Sequence, residues 1–278
     1  MTNQEILKIA MAQSAVDLCA EAGDFEKNEN VVVISRKSEE ARKYLKLPFS
    51  CQLISYGNNV VASVSPEFRE TVENYIHSYP VEHLFETPNL HVLNDALMEK
   101  GQKICFMAEY FLPDVERLRA QTVDNLGLYE MRILTQDDFA ALYLPEWSNA
   151  LCEARKELDV LGVGAYDGDT IVGLAGCSAD CDTMWQIGID VLPDYRRQGI
   201  GTALTSRLAI EILNRGKVPF YCAAWCNVRS VRNALKSGFR PAWVEMTAKS
   251  CETVDRICKE LSGSAKTEDC GIAPTIQG

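Results

Sequence analysis

Apolar positions recur along this chain at two periods, and the switches between them mark its elements. Residues 3–18 set Ile6, Leu7, Ile9 and Ala10 among Glu5, Lys8 and Asp17, an amphipathic helical pattern. Residues 31–35 read as extended and 39–45 as helical. A hairpin follows, 51–56 with 60–64, joined across Gly57-Asn58-Asn59, residues that suit left-handed turn conformations. Residues 66–79 and 89–100 carry helical patterns, and 103–109 a strand. The stretch from Pro113 to Gly127 is polar, helix or linker, and predicts a domain boundary near 125/126.

The second half is more regular. Residues 128–134 read as a strand, and Thr135, three residues before Asp138, as a helix N-cap with an acidic first turn. Strands at 160–166 and 170–178 flank Asp167-Gly168-Asp169, a hairpin signal. Over 184–191, Trp185, Ile187, Ile189 and Val191 share one face while Gln186, Gly188 and Asp190 share the other. Ile200, Ala203, Leu204, Leu208, Ala209, Ile212 and Leu213 then recur at helical spacing until Gly216. A strand at 219–224, a helix at 230–236 and an extended segment at 241–247 complete the pattern. The pattern predicts an α/β chain with domains at 1–125 and 126–250 and a tail, 251–278, holding one short helix.

Composition narrows the function classes. At 278 residues, 47% hydrophobic and 24% charged, the chain is ordinary globular material for about two domains. No run approaches the roughly 18 apolar residues of a membrane span, and the N-terminus lacks a basic start followed by an unbroken apolar segment. The expectation is a cytoplasmic protein with no membrane partner. A net charge of −11 argues against nucleic acid. That charge is uneven: 182–250 holds ten Lys or Arg against five Asp or Glu, a local +5 that leaves −16 elsewhere. Such a stretch suits a polyanionic small ligand. Eleven cysteines, an odd number without a secretion signal, read as reduced thiols. Cys177 with Cys181 and Cys222 with Cys226 lack the two-residue knuckle of a zinc site and read as buried small hydrophobes. His77, His83 and His91 show no ligand spacing, so no metal is expected.

The informative segment runs Val191-Leu-Pro-Asp-Tyr-Arg-Arg-Gln-Gly-Ile-Gly-Thr202. A strand enters a loop with two arginines and two glycines, and the loop opens directly into a helix. Helix N-termini present unpaired N–H groups and a partial positive charge, and glycines let an anion approach the backbone. The segment is neither a Walker loop nor a GxGxxG fingerprint.

Arg196-Arg-Gln-Gly199-Ile-Gly201 resembles the (Q/R)xxGx(G/A) signature of the GNAT superfamily of acyl-CoA-dependent N-acetyltransferases. Val191-Leu-Pro193 before it, and Asn227-Val-Arg-Ser230 with Gly238-Phe239 after it, fit the same pattern over about 128–250. The resemblance implies a mixed, mostly antiparallel central sheet flanked by helices, preceded here by an N-terminal α/β domain of unrecognised role. It implies acetyl-CoA as cosubstrate. The strand end at Val191 and Leu192 would meet pantetheine. The loop of Arg196, Arg197, Gln198, Gly199, Ile200, Gly201 and Thr202 would cradle the pyrophosphate, and Asn227, assisted by Ser230, would contact pantetheine. Asp190 and Glu146 are the candidate bases. Many members carry a tyrosine acid seven residues after the motif asparagine. Here that position is Ala234, with Tyr195 and Tyr221 nearby and read as packing residues. Trp225 reads as core, with a wall of the acceptor pocket as the alternative.

The implied activity is direct acetyl transfer to a primary amine of a small molecule: an amino acid, a polyamine or an amine-bearing antibiotic. Two alternatives stand beside it: a CoA-binding sensor or scaffold without turnover, and a protein-directed acetyltransferase recognising its target through the N-terminal domain. The sequence leaves the oligomeric state open, a homodimer included.

Overall fold

The structure, a computed structural model, describes residues 1–120 and 129–264. In chain order the elements are α1 (Asn3–Leu18), β1 (Val31–Ile34), β2 (Cys51–Ser55), β3 (Val61–Val64), α2 (Arg69–Ser78), α3 (Thr87–Met98), β4 (Gln102–Pro113) and α4 (Val115–Ala120). Then come β5 (Glu130–Thr135), β6 (Asp159–Asp167), β7 (Thr170–Ser178), β8 (Met184–Val191), α5 (Ile200–Asn214), β9 (Val218–Ala224), α6 (Val228–Lys236), β10 (Phe239–Ser250) and α7 (Cys251–Ser264). Short 3₁₀ turns lie between several of them. The architecture is mixed α/β, with mostly antiparallel strands flanked by helices.

Two compact units interleave in sequence. The first holds Met1–Ala10 and Tyr110–Ala242, the second Met11–Glu109 and Trp243–Gly278, so the chain changes unit inside α1, inside β4 and again inside β10. The boundary expected at 125/126 lies outside the described residues, as does Leu128 of the expected first strand.

In the second unit β2 pairs antiparallel with β3 and with β10, and β1 runs parallel to β3. Leu53, Val64, Phe68, Ile76, Leu97 and Met246 belong to its apolar core. The helix expected at 39–45 is absent, and turns stand there instead. The reason is long-range. Arg42 is 1% exposed. Its backbone N–H and guanidinium donate to Asp17, and the guanidinium also reaches Glu245. Tertiary ion pairing overrides the local helical pattern.

In the first unit the strand order is β9-β8-β7-β6-β5, antiparallel except for the parallel pair of β8 with β9. Ile200, Leu204 and Leu208 of α5 pack with Val163, Val172 and Ile187 in the larger core. A second cluster joins Phe139, Trp147, Ala150 and Leu151 to Leu134 and Leu174. The two lie on opposite faces of the sheet. A Cβ at Gly173 would meet Ile200 of α5, whereas one at Gly176 would meet Ala150, and residues three apart on a strand point oppositely. Thr135 forms the expected cap, its N–H and hydroxyl both donating to Asp138 Oδ2 at 2.8 and 3.0 Å, but the turn it opens is 3₁₀.

Candidate active site

The alternation of β8 buries one side and leaves the other for polar residues, so its end can carry chemistry without losing its place in the sheet. Antiparallel pairing with β7 continues as far as Val191↔Gly173. Parallel pairing with β9 covers only Met184↔Val218, Trp185↔Pro219 and Gln186↔Phe220, although β8 runs on to Val191 and β9 to Ala224. The facing edges of 187–191 and 221–224 therefore part. A wedge opens between two strands whose backbone groups are not spent on each other.

At the mouth of this wedge the chain turns through Pro193–Tyr195 into α5. Arg197 and Gly199 both take left-handed backbone, φ 64° and 86°. For Gly199, the N-cap, this conformation explains the glycine. For Arg197 it is strain of order 1–2 kcal/mol, a cost found preferentially at ligand-binding turns. The helix ladder starts only with Ala203 N–H to Gly199 O at 3.0 Å, so the N–H groups of Ile200, Gly201 and Thr202 precede it. Gly201 faces inward. A Cβ there would lie 3.4 Å from Asn233 Oδ1, 3.6 Å from Val191 and 3.8 Å from Ile189. Its missing side chain lets α5 lie close against β8 and α6.

Neighbouring side chains hold the loop. Arg196 Nε donates to Val191 O at 2.9 Å, and Tyr129 OH donates to Gln198 Oε1 at 2.8 Å. Tyr195 OH donates to Asp167 Oδ2 at 3.0 Å, and its ring meets Tyr129 edge-on. Arg197 is exposed, and Leu192 packs against the smaller core.

On α6, Asn227 is the N-cap, its Oδ1 accepting from Ser230 N–H at 3.2 Å. Ser230 Oγ pairs with Tyr221 OH at 2.8 Å, and burial pushes the Tyr221 phenol up against that bond. Asn233, which the sequence did not single out, links α6 to α5 through Thr202 and Thr205. Ala234 is 0% exposed in the larger core, so a tyrosine would have no room there without repacking.

On the other face of the sheet, Glu146 lies exposed on the 3₁₀ turn Pro145–Trp147, which packs on β8. Asp190 is half-buried. Its Oδ2 accepts from the N–H groups of Asn149 and Ala150 at 2.8 and 2.9 Å, and its Oδ1 from Asn149 Nδ2 at 2.7 Å. Burial pushes its carboxyl up, and these bonds oppose the shift. The signal for this docked loop was available as Gly176 and Gly188, glycines inside strands, which mark close backbone approach. Two expectations fail. Trp225 is 47% exposed rather than core, because β9 ends at Ala224 before it, and Cys226 is likewise exposed. Among the described residues no three His, Cys, Asp or Glu gather as a metal cluster, and no helix is long and apolar enough to cross a membrane.

No curated protein matches the chain. Three solved structures illustrate those similar to it. A GCN5-related N-acetyltransferase-like protein from Streptococcus suis 89/1591 is 22% identical over 58% of this chain and 69% of its own, with a TM-score of 0.44. A GNAT-family acetyltransferase from Colwellia psychrerythraea is 16% identical over 68% and 76%, with a TM-score of 0.40. The Salmonella typhimurium protein yncA, solved with its cofactor acetyl-CoA, is 18% identical over 45% and 94%, with a TM-score of 0.35. Residues 128–239 match the acetyltransferase (GNAT) family. The C-terminal half of this chain thus carries a segment of the GNAT acetyltransferases, a family that uses acetyl-CoA.

Proposed function

We propose that the first unit transfers an acetyl group from acetyl-CoA to a primary amine of a small molecule. The observation that carries this reading is the wedge between β8 and β9 opening onto the left-handed loop and the free N–H groups that begin α5. The residues present fit the cosubstrate. The N–H groups of Ile200, Gly201 and Thr202 suit a pyrophosphate. The wedge between β8 and β9 suits a slender chain, and Val191, whose C=O already accepts from Arg196, offers it an N–H on the parting edge. Acetyl-CoA supplies an acetyl group activated as a thioester.

The attacking amine must lose a proton, and Glu146, exposed beside β8, is the carboxylate we assign to receive it. Glu146→Gln should lower kcat/KM for the amine by about 10²–10⁴-fold, the range of a general base, with acetyl-CoA affinity unchanged. A cytoplasmic setting fits, since the described cysteines are carried as thiols.

The test is acetyl-CoA-dependent thiol release across a panel of amino acids, polyamines and aminoglycosides, with mass detection of the acetylated product. A second reading, CoA binding without turnover, is favoured by one observation: the buried Ala234 where many family members place a tyrosine. Tight acetyl-CoA binding with no product from any amine would select it.

A further inference from the structure

Three glycines form a row across the sheet: Gly162 of β6 pairs with Gly176 of β7, and Gly176 with Gly188 of β8. Cross-strand partners point to the same face, so the row is a trough without side chains. The segment between β5 and β6 lies in it. A Cβ on Gly162 would meet the Phe139 ring at 3.1 Å. One on Gly176 would meet Ala150 O at 2.2 Å, and one on Gly188 would fall 1.8 Å from Asn149 O. The last two are backbone contacts that no side-chain movement relieves. The loop thus rests directly on the sheet, two residues from Asp190 on the same face of β8.

We propose that Asp190, with the Gly176–Gly188 notch, is the pin that seats the 149–150 loop on the sheet and thereby positions the acceptor amine, as a positioning residue rather than the proton acceptor. Among the described residues, three hydrogen bonds reach its carboxylate and all come from that loop, both backbone N–H groups to one oxygen and the Asn149 amide to the other. The same loop follows directly on the turn bearing Glu146 and the buried Trp147. Holding Asn149 and Ala150 therefore fixes how Glu146 is presented beside β8. A carboxylate already engaged by three donors has little left to offer an incoming ammonium, and withdrawing it would release the loop. This assignment rests on the acetyl-transfer reading for its catalytic consequence, while the seating of the loop is measurable without turnover.

The polarity of the pin suggests a swap. In Asp190→Asn the amide can keep accepting the two backbone N–H bonds through its oxygen, but its NH₂ then confronts the Asn149 NH₂. Adding Asn149→Asp restores that contact with donor and acceptor exchanged, keeps the net charge, and leaves no carboxylate at 190. The experiment measures amide hydrogen exchange at 149 and 150 alongside steady-state kinetics and melting curves for the wild type, Asp190→Asn and the double variant.

For Asp190→Asn, exchange should quicken and KM for the amine should rise, each by about 10- to 100-fold, the scale of one charge-assisted hydrogen bond, with acetyl-CoA affinity unchanged. The double variant should return both to within about threefold and keep the wild-type pH profile, because the contact is rebuilt. A double variant with protected amides but activity as low as the single variant, its acid limb lost, would make Asp190 the base and overturn the proposal. So would unchanged exchange in Asp190→Asn. If the wild type acetylates no amine, the acetyl-transfer reading fails, and the exchange data still decide whether the pin exists. Should Asp190→Asn fail to fold, the double variant against the wild type carries the test.

Discussion

The two units treat their polar groups in opposite ways. In the second, charge is turned inward and closed. Arg42 is 1% exposed, Asp17 0% and Glu245 1%. Arg42 donates to both carboxylates, Gln52 donates to Glu245 at 2.8 Å and Gln13 to Asp17 at 3.1 Å. In the first unit the polar groups that matter are backbone groups left open: strand edges that part and helix N–H groups that precede the ladder. A closed network specifies where chain segments go, and its loss appears as stability. Open backbone groups add nothing to folding and wait for a ligand, so their obstruction appears as affinity.

The sharpest way to break that contrast is Gly201→Leu. A Cβ there meets only ordinary contacts with Asn233, Val191 and Ile189, but a leucine branch would press on them and shift the first turn of α5 with its N–H groups. Losing about two charge-assisted bonds of roughly 1.5–3 kcal/mol each should weaken acetyl-CoA binding by about 10²–10⁴-fold. Helix propensity gains somewhat under 1 kcal/mol while overpacking costs about 1–3 kcal/mol, so the melting temperature should fall by a few degrees with the variant still folded. Calorimetry beside a melting curve decides. Unchanged affinity in a folded variant would mean that the start of α5 does not hold the cofactor.

The opposite effect is expected from Arg42→Ala. It leaves Asp17 and Glu245 buried without their common partner, a loss of about 3–5 kcal/mol typical of a broken buried pair. Denaturant unfolding followed by a probe in the second unit should show it. A cost below about 1 kcal/mol would mean that water reaches the network and that the enclosure is not what specifies this unit.

The same contrast explains what could be read from the chain beforehand. Local periodicity was legible: the alternation of β8, the helical stripe of α5 and the hairpin at Gly168 stand where the pattern put them. The loop opening α5 was legible because its constraint is local, two left-handed residues within three. Residues 39–45 misled because Arg42 answers to Asp17 and Glu245, 25 and 203 residues away. The seating of Asn149 on Gly188 was hidden for a similar reason. A glycine in a strand announces close approach but does not name what approaches. Trp225 shows the converse, a large apolar residue one position beyond its strand and left 47% exposed.

A subtler contrast lies within the first unit, at a second carboxylate that holds the segment between β5 and β6. Asp159 accepts from Cys152 N–H at 2.8 Å and Tyr143 OH at 3.3 Å, and burial pushes its carboxyl up to about 6 despite these bonds. Its folded pKa exceeds its unfolded one, so between about pH 4 and 6 the folded state binds more protons. Stability from this group is then present at the acidic end and lost as pH rises through about 6. Asp159→Asn should flatten that slope and raise the melting temperature at pH 8 by roughly 2–4 °C, the shift for about 1 kcal/mol in a domain of this size. An identical pH slope in the variant would place the titration elsewhere.

The smallest effect is expected at the two tyrosines beside the missing acid, which sharpen the distinction between closed side chains and open backbone. Tyr221 OH is closed on Ser230 at 2.8 Å, and Tyr195 OH on Asp167 at 3.0 Å. Both phenols are pushed up, Tyr221 by burial and Tyr195 by its bond to the Asp167 carboxylate. A phenol held above about 10 transfers its proton uphill to a thiolate whose conjugate acid, like a free cysteine, lies near 8–9. Near pH 8 the CoA thiolate can leave without it. Tyr221→Phe and Tyr195→Phe should therefore each lower kcat by less than about tenfold, short of a general acid's contribution. Tyr221→Phe alone should also lose about 1 kcal/mol of stability, because it leaves Ser230 without its buried partner. Thiol-release kinetics with an acetyl-CoA titration separate the outcomes. A thousandfold fall in kcat for Tyr221→Phe at unchanged affinity would make that phenol the proton donor and carry the chemistry to the Ser230 side of α6.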